Sequence, residues 1–191
     1  TYLYLKLMIK KVFLDYNFSK FLKGDYSVPH SCILHQKTEM VDLHKKYGGF
    51  PKEFVDENTE IRQLWWDSDQ VDYTDIGSQL SMDIKSFSSI LQPPGQGIPN
   101  HMDFFYKLKK DYPKDSRMKV RAVIFMEDWH PGEFLQYSQP VSASDPSGDV
   151  WHNLTHWKRG DGILWNSGVE HISVNFGFTN KYTLQISGFL N

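Results

Sequence analysis

From Met82 onward the chain breaks into short segments of alternating polar and apolar residues, each closed by a turn signal. Few folds accept such a pattern. Segments at Asp83–Gln92, Met118–Trp129, Glu133–Ser138, Gly162–Asn166, His171–Phe176 and Lys181–Phe189 carry the period of a β-strand. Pro93-Pro94-Gly95, His130-Pro131-Gly132, Asp145-Pro146-Ser147-Gly148, Gly160-Asp161-Gly162 and Ser167-Gly168 separate them. Many short strands with frequent turns predict an antiparallel jelly roll or barrel, and they argue against a parallel α/β sheet. One helix interrupts the series at Asp103–Asp111.

The first 80 residues are mixed. Leu3, Leu5, Leu7 and Ile9 alternate with Tyr2, Tyr4, Lys6 and Met8, as in a half-buried strand. Short helices are expected near Phe18–Lys23, Thr38–Tyr47 and Asn58–Trp66, the last opening on the polar run Asn58-Thr59-Glu60. A length of 191 residues suits one domain, 1–191, with 1–80 as a support region and 81–191 as the β core. No apolar run reaches membrane-spanning length, and a net charge of −2 sets up no global field for nucleic acid or an anionic membrane. The single Cys32 has no internal disulfide partner, which fits a reducing, cytoplasmic compartment.

Catalytic motifs of other classes are missing: there is no GxSxG elbow, no phosphate-binding GxxxxGK[ST] and no paired CxxC. Among the eight histidines, only His101 is followed two residues later by an acid, Asp103. Side chains two apart in an extended segment project to the same side, so this pair can grip one ion. A histidine inside a later strand is the natural third ligand, and His171 is placed for it. Two imidazoles and a carboxylate, without thiolate, suit Fe(II) with positions left open for dioxygen and a co-substrate. Further on, Lys181, Thr183 and Gln185 share one face of a strand, where an ammonium and a hydroxyl make a pocket for a carboxylate. Lys181 follows His171 by ten residues, so neighbouring strands would set it across a pocket from the metal.

The ordered set His101-x-Asp103, His171 and Lys181-x-Thr183 resembles the 2-oxoglutarate and Fe(II)-dependent oxygenases, and within them the prolyl-hydroxylase-like group. The runs SSILQPPGQGIPNHMD, VRAVIFMEDWHPGEFLQYS, WKRGDGILWNSGVEHISVNFG and KYTLQISG are also similar to oxygenases encoded by marine bacteriophages. The resemblance spans about Asp83 to Gly188. It implies a mainly β (α+β) double-stranded β-helix, cupin-like, with the N-terminal helices packed outside. It also implies Fe(II) on His101, Asp103 and His171, and 2-oxoglutarate on Lys181 and Thr183. The implied reaction consumes O2, decarboxylates 2-oxoglutarate to succinate and hydroxylates a substrate, with a peptide or prolyl residue as the suggested class. Lys-x-Thr departs from the family's usual Arg-x-Ser, keeping the charge but not the bidentate geometry. Two rivals stay open: a cupin-like isomerase or hydrolase without 2-oxoglutarate, and a non-catalytic jelly-roll binding module.

Other features have plainer readings. His152 and His156 form HxxxH, which on a helix would stack both rings, but Asn153 stands where a zinc protease carries its glutamate. The basic run from Lys107 to Arg121 reads mainly as a solvated face, with a basic lip for an anion as the minority alternative. Arg121 is the exception within it, a charge in an otherwise apolar strand that demands a partner. Phe104 and Tyr106 are expected at the rim of a substrate channel, and Trp65 and Trp66 in the core.

Overall fold

A computed structural model describes residues 9–30, 60–139 and 150–191. Among the described residues, ten strands make two antiparallel sheets. The larger has the order β1-β8-β5-β10-β3-β2 and the smaller β4-β9-β6-β7. Their ranges are β1 Ile9–Phe13, β2 Arg62–Trp65, β3 Met82–Gln92, β4 Gln96–Met102, β5 Lys119–Phe125, β6 Glu133–Gln139, β7 Val150–Leu154, β8 Asp161–Asn166, β9 Glu170–Asn175 and β10 Lys181–Leu190. From β3 onward the chain passes repeatedly between the sheets, which gives an eight-stranded double-stranded β-helix with β1 and β2 added at the edges of the larger sheet.

The strand pattern explains the two layers. On β10, Tyr182, Leu184 and Ile186 point outward, where Leu184 and Ile186 join a core with Val120, Ala122, Ile124 and Leu164. Helix α1 (Ser19–Leu22) and helix α2 (Tyr73–Leu80) cover this outer face with Phe21, Ile76 and Leu80. A four-residue helix is far too short to persist alone. Burial of Phe21, worth about 1.5–3 kcal/mol, and its ring contacts with Trp66 and Phe87 hold α1 in place. Helix α2 begins where the Asp72 carboxylate accepts from Thr74 N and Asp75 N, and it ends at Ser81 in the left-handed conformation. Between the sheets, Val123, Phe125, Ile163 and Trp165 of the larger pack against Leu135 of the smaller, with Trp157 and Val169.

A bulge between Ser187 and Gly188 adjusts the register of β10 on β3. A Cβ at Gly188 would overlap the Asp83 carbonyl oxygen, so glycine is required by the close approach of the two backbones. Helix α3 (Tyr106–Asp111) follows β4, starting three residues later than the expected Asp103 and leaving Asp103 in the connection.

Several expectations change. The helix expected at Asn58–Trp66 is instead strand β2 over its described part, paired from Arg62↔Leu91 to Trp65↔Ser88. Buried Ile61 and Gln63 alternate with more exposed neighbours there, a period of two that a run this short hid. The turn-rich stretch before His101 contains β4, whose pairing with β9 is irregular between Ile98 and His101, around Pro99. Proline cannot donate to a ladder, so it sits where the ladder breaks. His152 lies on strand β7 opposite Tyr137, so HxxxH is not a helix face. The helix expected at Thr38–Tyr47, the strand residues before Ile9 and the Asp145–Gly148 turn lie outside the described residues.

Candidate metal centre

His101 near the end of β4, Asp103 just beyond it and His171 on β9 converge, their ligand atoms all within 4.8 Å of one another. His101 and His171 are direct partners in the β4–β9 ladder, which brings their rings to 4.1 Å. His171 is buried, and its Nδ1 lies 3.0 Å from the Val169 carbonyl oxygen. A carbonyl only accepts, so Nδ1 carries the hydrogen and Nε2 keeps its lone pair, 3.8 Å from Asp103 Oδ2. Burial lowers the His171 pKa, which favours the neutral imidazole that a metal needs.

Asp103 is buried as a charge. Burial pushes its pKa up, but Arg121, the two histidines and the Trp165 N–H outweigh it and hold it at about 2. Arg121, on β5, donates to Asp103 Oδ1, and Trp165, on β8, donates to Oδ2 at 2.8 Å. The Trp165 ring lies 4.4 Å from that of His171. Arg121 thus has the partner its sequence context demanded, and the partner is the central carboxylate of the cluster. Trp165 carries no sequence signal that marks it, since ILWN reads as an ordinary core strand.

His101, Asp103 and Arg121 line a pocket of about 450 Å³ floored by Gln185 and Ser187 of β10. Phe104 and Tyr106 line it, as expected of a rim. Trp65 also lines it and is 52% exposed, which corrects its expected core position. It sits on the last strand of the larger sheet, where less protein covers it. Trp66 is half-buried with its ring 5.0 Å from Phe21. Lys107 and Lys110 reach the pocket wall, Lys107 already paired with Asp111 at 2.7 Å.

Lys181 and Thr183 do not line this pocket. Lys181 begins β10, which belongs to the larger sheet while β9 belongs to the smaller, so the two strands face each other across the interior. The Lys181 Nζ is buried and donates to Phe134 O at 2.9 Å, Ser173 Oγ at 3.0 Å and Val174 O at 3.2 Å. Ser173 is the next residue on the His171 face of β9, one strand repeat of about 6.6 Å along. Burial depresses the Lys181 pKa to about 7, partly countered by the charge of Glu133. Among the described residues Glu133 forms no ion pair with it, is itself buried, and its Oε1 has no hydrogen-bond partner. The inner face of β10 therefore carries a polar row, Lys181, Thr183, Gln185 and Ser187, and Ser187 Oγ accepts from Arg121 at 3.1 Å. His152 and His156 are engaged elsewhere, stacked on Tyr137 and Trp129.

No protein-family profile matches the chain, and no curated protein matches it in sequence. Several solved structures match in fold. The non-haem α-ketoglutarate-dependent carbocyclase SnoK from nogalamycin biosynthesis is 9% identical, with a TM-score of 0.53 over 96% of this chain and 80% of that one. A Pseudomonas putida prolyl-4-hydroxylase is 18% identical, with a TM-score of 0.47 over 96% and 92%. AviO1 from Streptomyces viridochromogenes is 14% identical, with a TM-score of 0.46 over 85% and 86%. At such identities the likeness is one of fold, and the SnoK match supports the double-stranded β-helix.

Proposed function

We propose that this protein is a non-haem Fe(II) dioxygenase that couples oxidative decarboxylation of 2-oxoglutarate to hydroxylation of a second substrate. The observation that carries this reading is the convergence of His101, Asp103 and His171 at a pocket wall. The donor set fits the ion: two imidazole nitrogens and one carboxylate, with no fourth His, Cys, Asp or Glu joining them among the described residues. Bound iron with 2-oxoglutarate supplies the activation of dioxygen that attack on a C–H bond requires.

The chain's own residues do the rest. His171 offers Nε2 because its other nitrogen is held by Val169 O. Asp103 stays ionised at neutral pH under the charge of Arg121. Lys181 is the candidate for the distal carboxylate of 2-oxoglutarate, since its buried ammonium donates only to neutral oxygens, beside the Trp157 and Phe125 rings, and a carboxylate would add a charge-assisted bond. Thr183, next on the same face, would add a hydroxyl. The pocket beside Asp103 would take the substrate, for which a peptide or prolyl residue remains our proposed class. A single oxygenase domain over 1–191 and a reducing cytoplasm, that of a host if a phage encodes the protein, belong to the same proposal; the lone Cys32 supports the compartment.

The test is anaerobic loading with Fe(II), then admission of O2 and 2-oxoglutarate with succinate measured. Succinate should form in the wild type and be lost in His171→Ala. One observation favours a second reading, a metalloenzyme that uses no 2-oxoglutarate: Lys181 already has three acceptors from the protein itself. That enzyme would bind one metal per chain and release no succinate.

A further inference from the structure

The two oxygens of Asp103 are treated differently. Oδ2 faces the cluster, 3.8 Å from His171 Nε2, and accepts from Trp165 at 2.8 Å. Oδ1 is bonded to the Arg121 guanidinium. That guanidinium is held in turn: its Nε donates to Ser187 Oγ at 3.1 Å, and its carbon lies 5.8 Å from the centroid of the Phe105 ring. Ser187 and Arg121 are register partners across β10 and β5, so the brace is anchored in the larger sheet while His101 and His171 belong to the smaller.

A carboxylate facing a cation can bind through one oxygen or both. With both, it fills a coordination position that a bidentate co-substrate needs. We infer that Arg121 is a positioning residue that caps Asp103 Oδ1, restricts Asp103 to single-oxygen ligation through Oδ2 and so keeps a coordination position open. The inference rests on the metal reading above. It makes a prediction that a simple supporting role does not. An arginine that merely holds Asp103 in place should, when removed, weaken metal binding, as loss of an outer-sphere partner commonly does by about 10- to 100-fold. An arginine that caps Oδ1 holds a positive charge near the cation and denies it an oxygen. Its removal should tighten metal binding and weaken whatever must share the metal.

The experiment titrates the full chain with Co(II) anaerobically, then adds oxalate, a two-oxygen chelator that has no need of Lys181. Arg121→Met should bind Co(II) about tenfold more tightly, because a positive charge beside the cation is gone, with an altered visible spectrum, and its response to oxalate should weaken by at least about tenfold. Arg121→Lys, which can still donate to Oδ1, should restore much of the oxalate response. Unchanged spectrum and oxalate response in Arg121→Met overturn the inference, as does weaker Co(II) binding with a normal oxalate response. Should Arg121→Met not fold, Arg121→Thr decides: it suits a strand but is too short to cap Oδ1, and a wild-type oxalate response there also overturns the inference. Failure of the metal reading looks different, because the wild type itself then takes up no Co(II) that His171→Ala abolishes.

Discussion

Asp103 and Lys181 are both buried, and the fold treats their charges in opposite ways. Asp103 is met by a guanidinium and an indole N–H, and its pKa is held at about 2. Lys181 is met by two carbonyls and a hydroxyl, and its pKa falls to about 7. The lowered pKa of Lys181 marks an ammonium whose three acceptors, two ring faces and the Glu133 charge offset its burial only in part, whereas the guanidinium close to Asp103 reverses the balance there. The carboxylate is settled in its charge before any ligand arrives. The ammonium would still gain from an anion, as the proposed co-substrate clamp requires.

Breaking the settled end should have the largest effect. Asp103→Ala should abolish both stoichiometric metal uptake and succinate release. It should also destabilise the metal-free protein by roughly 3 kcal/mol, measured by denaturant unfolding, because Arg121 is left half-buried without its partner. Succinate release at the wild-type rate would remove Asp103 from the centre.

The other end should respond with a split outcome. Lys181→Met should raise the KM for 2-oxoglutarate by about 10- to 100-fold through loss of a charge-assisted bond, while the protein without co-substrate becomes no less stable. The sign follows from the pKa values. The folded value of about 7 lies below the ordinary 10.5, so the wild type has its full stability above 10.5 and loses it as pH falls toward 7. That difference amounts to roughly 5 kcal/mol at most. Unfolding measured at pH 7 and pH 10 should therefore show the wild type gaining on Lys181→Met as pH rises. A constant gap between them would mean that the ammonium is already fully compensated inside the protein.

Smaller effects sharpen the contrast. Trp165→Phe keeps the ring against His171 but removes the N–H to Asp103 Oδ2, and should weaken Mn(II) binding about tenfold in a titration followed by electron paramagnetic resonance. Thr183→Val should raise the 2-oxoglutarate KM about threefold, the loss of one neutral hydrogen bond. An unchanged KM would confine the clamp to Lys181.

Local pattern explains what was legible in the residues and what was not. The strands from β3 to β10 that alternate cleanly were readable, since the period of a pleat is a property of neighbours. Strand β4 was hidden by Pro93, Pro94 and Pro99, and β2 by its length of four residues and an apparent helix start before it. His101 and Asp103 stood out by type and spacing, and His171 by its strand. The donors to Asp103 did not, because Trp165 lies 62 positions away and Arg121 lies 18 away. Nothing in ILWN distinguishes a tryptophan that donates to a buried carboxylate from one that only fills space.

Residue types and their short-range periods determined that this chain makes an antiparallel β fold and that it owns the two imidazoles, the carboxylate and the ammonium from which the proposed centre is built. Tertiary structure alone decided that the ammonium and His171 lie on facing sheets rather than side by side, and that Arg121 takes one oxygen of Asp103 and leaves the other. The reason is physical: alternation depends on adjacent peptide units, whereas the burial and pairing of a charge depend on atoms that only the closed sheets bring within bonding distance.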